Sequence, residues 1–250
     1  MLSPGPWFPN QPPGTVHWES GLGRRRTRTN ATGRENILSN RTDEGWTRNQ
    51  VHDALQPEEI LRTRFEEAPT YGEYFSETRK LRELWEARET RSRLPADIRD
   101  QVEALGEPRY LLAITYDGCG DGVDLLPWIA RMAEGSPKLE LRILERGDHL
   151  DIMDRYLTDG RSRSVPVVIV LDEEFREIGW WGPRPRELQA WVTGPGMELD
   201  PKDRYREVRR WYARDRGRTT MEEVLELLGK SAGEPAVAGQ GSGGPEAGSA

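Results

Sequence analysis

Cys119 is the single cysteine among the 250 residues of the chain, so any thiol chemistry must run through it. It stands in Thr115-Tyr116-Asp117-Gly118-Cys119-Gly120-Asp121-Gly122, between an apolar run and a helical pattern. Backbone N–H groups at a helix N-terminus favour a thiolate by about 0.3–1 kcal/mol. Asp117, Asp121 and Asp124 oppose it, each by roughly 1 kcal/mol at about 7 Å in wet surroundings. The balance predicts a thiol near its ordinary pKa of about 8.5 and a sluggish nucleophile. Arg161, Arg163 or Arg184 would reverse that if its loop folded over the sulfur. The second chemical feature is Val165-Pro166, which opens a β-branched run and is a candidate cis peptide. One cysteine excludes an intrachain disulfide and any Cys-rich zinc or iron–sulfur site. His17, His52 and His149 lie too far apart in sequence to suggest a His-based site. No metal and no cofactor are expected.

The elements that must hold these residues alternate between helix and strand. Glu58 to Arg91 reads as helical, opened by Pro57-Glu58-Glu59 and broken into two helices by Pro69, Thr70 and Gly72. Ile98, Val102 and Leu105 mark a short helix that ends at Gly106. Tyr110 to Thr115 suits a buried strand, and a helix follows from about Gly122 to Glu134. Leu139, Leu141 and Ile143 alternate as a second strand, and Asp148 to Leu157 reads as a short helix. Val165 to Leu171 is a third strand, paired through the turn Asp172-Glu173-Glu174 with an antiparallel strand from Glu177 to Trp181. Pro185 to Val192 is a further helix. Tyr205, Val208 and Tyr212, then Met221, Val224, Leu225 and Leu228, share helix faces and read as packing stripes. His149 reads as a surface residue, and Trp180-Trp181 as core and edge packing.

This order of elements resembles the thioredoxin superfamily. Residues 115–122 stand where that superfamily carries Trp-Cys-X-X-Cys. Pro127, eight residues after Cys119, matches the proline of its active-site helix. Val165-Pro166 matches its cis-proline loop, which the resemblance implies lies against the cysteine and positions a partner's backbone. Leu125-Leu126-Pro127, Leu141-Arg142-Ile143-Leu144, Met153-Asp154-Arg155-Tyr156-Leu157-Thr158 and Trp181-Gly182-Pro183-Arg184-Pro185 are similar to a bacterial thioredoxin-like subgroup with a Cys-Gly-Asp site. The implied fold is an α/β, three-layer thioredoxin-like sandwich around a mixed parallel and antiparallel four-stranded sheet, with extra N- and C-terminal helices. The departures bear on function. Gly122 replaces the resolving cysteine, Gly118 the aromatic residue before the nucleophile, and Ala113 the buried acid. A dithiol cycle is excluded.

The expected organisation is a basic, Pro-rich disordered tail over 1–50, a helical extension over 51–105, a thioredoxin-like core over 106–193, C-terminal helices over 194–229 and a flexible Gly/Ala/Ser tail over 230–250. The first tail holds 7 Arg against 4 acids, including Arg24-Arg25-Arg26-Thr27-Arg28, within a chain of net charge −7. The acidic remainder argues against nucleic acid as a partner of the core. No apolar stretch follows the arginines, as an export signal requires, and none approaches the roughly 18–20 residues of a membrane helix. The cytoplasm is the expected compartment. Two functions stay open. In one, Cys119 is the nucleophile of a monothiol oxidoreductase, with Val165 and Pro166 positioning substrate and Asp117, Gly118, Gly120, Asp121 and Gly122 flanking the site. Its partners are then a low-molecular-weight thiol or a protein thiol or disulfide, with resolution by a second molecule. In the other, the chain is a binding or scaffold protein of this fold that has lost catalysis, and Cys119 is a small residue at a helix start.

Overall fold

Short apolar runs, whose successive side chains point to opposite sides of each strand, build the molecule around a sheet with two buried faces. The computed structural model describes residues 56–233. The tail expected over 1–50 with its arginine run, His17 and His52, and most of the tail expected over 230–250 lie outside them. The strands are β1 (Arg109–Thr115), β2 (Leu139–Glu145), β3 (Val167–Leu171) and β4 (Glu177–Trp181). They lie in the order β2-β1-β3-β4. β1 runs parallel to β2 and antiparallel to β3, and β3 is antiparallel to β4. Leu111, Ala113, Ile143, Val168, Val170 and Trp181 fall in one core cluster, and Leu112, Ile114, Leu144, Val167, Ile169 and Trp180 in the other. That is the period of two expected of strands covered on both sides.

Helices supply the outer layers. Before the sheet come α1 (Pro57–Glu67), α2 (Tyr71–Glu77), α3 (Arg82–Arg91) and α4 (Ala96–Glu103). Within and after it come α5 (Gly120–Glu134), α6 (Leu150–Met153), α7 (Arg186–Thr193), α8 (Pro201–Asp215) and α9 (Arg218–Leu228). α1 and α6 contribute Leu61, Phe65, Ile152 and Met153 to one face. α3, α4, α5 and α9 contribute Trp85, Ile98, Leu126, Ile129 and Met221 to the other. The β2 edge is covered where the Ile143 N–H donates to the Pro69 carbonyl at 3.0 Å and Thr70 bridges Arg142. α8 and α9 meet at Gly217, whose φ is +72° and where a Cβ would lie 2.2 Å from the Trp128 ring. Only glycine suits that turn.

Three expected boundaries differ. The stretch from 58 to 91 forms three helices rather than two, because Thr78 to Leu81 turns out of the helix. There the Asp117 carboxylate accepts the backbone N–H groups of Arg79 and Lys80 at 3.2 and 3.0 Å, and Leu81 takes a left-handed φ of 54°. A tertiary contact makes this break, so local propensity does not show it. The helix expected over 148–157 spans Leu150–Met153 only. Tyr156 is instead drawn into the core, its hydroxyl donating to Glu177 at 2.7 Å, and Thr158 bridges Ser162. β3 begins at Val167, after Val165 and Pro166, since proline has no N–H to donate to the ladder.

Candidate functional site

β1 delivers the chain to the mouth of α5, and Cys119 caps that helix. Its Sγ accepts the Gly122 N–H at 3.2 Å and lies 3.3 Å from the Val165 carbonyl oxygen, to which the thiol donates. The structure therefore brings Cys119, Gly122 and Val165 together, and Pro166 follows through a cis Val165–Pro166 peptide. Gly182, at φ +132°, presses on the same loop, because a Cβ there would sit 2.2 Å from the Pro166 carbonyl oxygen. Trp85 of α3 fixes the approach to the site by donating its Nε1–H to the Asp117 carbonyl at 3.1 Å.

The sulfur is closed off. Cys119 is 5% exposed and shares a core cluster with Val165, Tyr156 and Trp180. Burial pushes its thiol up to about 11. Asp121 adds in the same direction, while the Gly122 N–H, Thr115 and Arg184 pull back without offsetting the burial. Thr115 Oγ1 acts through proximity, since it is buried and makes no hydrogen bond of normal geometry among the described residues.

The three acids expected to oppose the thiolate separate in the structure, so that balance is corrected. Desolvation is the largest effect on Cys119, and of the three only Asp121 contributes noticeably. Asp117 faces away, toward Arg79 and Lys80. Burial raises its carboxyl, but the backbone N–H groups of Lys80 and Arg79 bring it below the usual carboxylate range. Asp124 pairs with Arg88 of α3, and its burial raises it. Of the three arginines considered, Arg184 reaches the site and pairs with Asp121 at 2.5 Å. Arg163 pairs instead with Asp154, and Arg161 is exposed.

Gly118, Gly120 and Gly122 are each close to other groups. A Cβ at Gly118 would lie 3.1 Å from both Lys80 and the Tyr116 ring, so an aromatic residue there would need room the loop lacks. One at Gly122 would lie 2.6 Å from Thr115 Oγ1 and 3.5 Å from Cys119 Sγ. One at Gly120 would lie 2.2 Å from the Tyr205 hydroxyl. Tyr205 belongs to α8, as does Tyr212, whose hydroxyl donates to Asp121 at 2.8 Å. Neither tyrosine is evident as a site residue from sequence. The signal was present in the stripe Tyr205, Val208, Tyr212, where two members of a packing face carry polar tips. His149 is half-buried, with a buried Nδ1, rather than a surface residue. Among the described residues no group of three or more His, Cys, Asp or Glu could hold a metal ion, and no helix is long and apolar enough to cross a membrane.

Comparison with known proteins agrees with this geometry. No curated protein matches the chain. The fold is similar to that of a crystallised HIV epitope-scaffold, with a TM-score of 0.55 and 17% identity over 68% of this chain and 98% of that one. It is also similar to a protein of unknown function from Pseudomonas aeruginosa, with a TM-score of 0.52 and 18% identity over 66% and 93% of the two chains. These identities speak to the fold alone. A family model described as Thioredoxin matches residues 68–206, from the end of α1 into α8. That is more than half of the sequence, and with the β2-β1-β3-β4 sheet and a cysteine capping the helix after β1, the chain belongs to the thioredoxin family.

Proposed function

We propose that this protein is a binding member of the thioredoxin family in which Cys119 rests as a protonated thiol and does no redox chemistry. The observation that carries the reading is the thiol itself, 5% exposed and donating to the Val165 carbonyl. With its pKa raised to about 11, roughly one molecule in 10,000 would hold a thiolate at neutral pH. Trapping tests this. Folded protein held with oxidised glutathione is expected to form no mixed disulfide while the urea-unfolded chain does so readily. Rapid glutathionylation of the folded wild type, lost in Cys119→Ser, would overturn the reading.

Monothiol exchange is the second reading, favoured by the Gly122 N–H donated to the sulfur at the start of α5. There the Cys119 thiolate attacks a disulfide sulfur, one thiolate leaves, and an external low-molecular-weight or protein thiol attacks the mixed disulfide to free Cys119. Val165 and Pro166 would position the incoming disulfide, and Asp117, Gly118, Gly120, Asp121 and Gly122 would flank it. We also assign the chain to the bacterial thioredoxin-like subgroup with a Cys-Gly-Asp site, working in the cytoplasm as a core over 106–193 between helical extensions.

A further inference from the structure

A cleft of about 390 Å³ opens between the end of α1, α2, the end of β2 and the turn before α6. It is lined by five carboxylates, those of Glu67, Glu77, Asp117, Glu145 and Asp148, and by no lysine or arginine. Some of that charge is already engaged: Glu67 pairs with Arg64 at 3.9 Å, and Asp117 holds the Arg79 and Lys80 N–H groups with the Lys80 ammonium 3.7 Å away. The carboxylates of Glu77 and Asp148 have no ion-pair or hydrogen-bond partner among the described residues.

Two buried polar atoms in the same wall are also unsatisfied. Tyr74 is 9% exposed, and its hydroxyl has no hydrogen-bond partner among the described residues. Tyr74 lines the cleft, and burial, followed by the charges of Glu145 and Asp117, holds its hydroxyl well above the ordinary value. The Nδ1 of His149 is likewise buried and unpartnered. Burial, and then Arg64, hold His149 below its ordinary value, so the neutral ring can offer a lone pair. An unmade hydrogen bond at a buried polar atom is costly, and a phenol and an imidazole both accept N–H donors. The carboxylates do not converge as a metal site. The geometry points to an organic cation with several N–H donors, an alkylammonium or a guanidinium, as the occupant of this cleft, seated on Tyr74 and His149 and neutralised by Glu77 and Asp148. The cleft shares Asp117 with the loop that carries Cys119, but its occupancy does not depend on whether that thiol reacts.

Isothermal titration of the full chain at low salt tests the assignment, with agmatine as the probe of a free amine and the tripeptide acetyl-Ala-Arg-Ala-amide as the probe of a partner's side chain. Saturable one-to-one binding is expected. It should weaken about tenfold in Glu77→Gln/Asp148→Asn, which loses two charges, and about threefold in Tyr74→Phe, which loses only the hydroxyl. Unchanged thermal melting of both variants would show that the fold is intact. Tighter binding of agmatine supports a small amine as the natural ligand, and tighter binding of the peptide supports a basic side chain of a partner protein. Flat titrations with both probes, binding that neither variant weakens, or binding of calcium chloride in place of both would overturn the proposal.

Discussion

At the helix start where thiol chemistry would be sited, the Cys119 sulfur is held as a core group. Burial disfavours its ionisation, the Gly122 N–H pulls the other way without offsetting that burial, and the Val165 carbonyl accepts a hydrogen bond from the S–H. The neighbouring Gly122 is where a dithiol member of the family would carry its second cysteine, and Thr115 Oγ1 stands 2.6 Å from where that Cβ would go. Gly122→Cys is therefore expected to destabilise the fold by about 1–3 kcal/mol through overpacking, and Thr115→Ala/Gly122→Cys to recover most of that loss. Urea unfolding of the two variants measures it. Equal stability of Gly122→Cys and wild type would mean that Thr115 turns aside at little cost.

At the scale of elements, α8 decides how open the site is. Its Tyr212 hydroxyl anchors to Asp121, and its Tyr205 hydroxyl lies over Gly120. Tyr205→Ala should speed alkylation of Cys119 at pH 9 by about an order of magnitude, because it opens the sulfur to solvent and lowers the cost of ionising it. A rate unchanged from wild type would place the barrier elsewhere, in Val165 and the wall around it. How far such features can be read without coordinates depends on how local their causes are. The strands and the capping position of Cys119 follow from short apolar runs and a helix start, and these were legible. The break at Thr78 to Leu81 needs the Asp117 carboxylate from 37 residues away in sequence, counted from Lys80, and no local signal announces it. Likewise, the separation of Asp117, Asp121 and Asp124 onto three different partners depends on Arg79 and Lys80, on Arg184, and on Arg88. Spacing along the chain places three acids near one cysteine, and packing then turns two of them away.

At the scale of the whole molecule, a buried thiol that resists ionisation links stability to pH. Between about pH 9 and 10 the folded protein keeps the Cys119 proton while the unfolded chain releases it, so stability falls as the pH rises toward about 11. The expected loss is roughly 1 kcal/mol over that unit, and Cys119→Ser should flatten the slope there. Denaturant midpoints at pH 8, 9 and 10 read it, and parallel slopes for the two proteins would refute the linkage. The same resistance to ionisation underlies the whole functional reading, and iodoacetamide alkylation of the folded wild type as a function of pH measures it most directly. The account predicts slow modification with a midpoint well above about 8.5, near the raised value of about 11. Fast modification with a midpoint below about 7 would contradict it and make Cys119 an activated nucleophile.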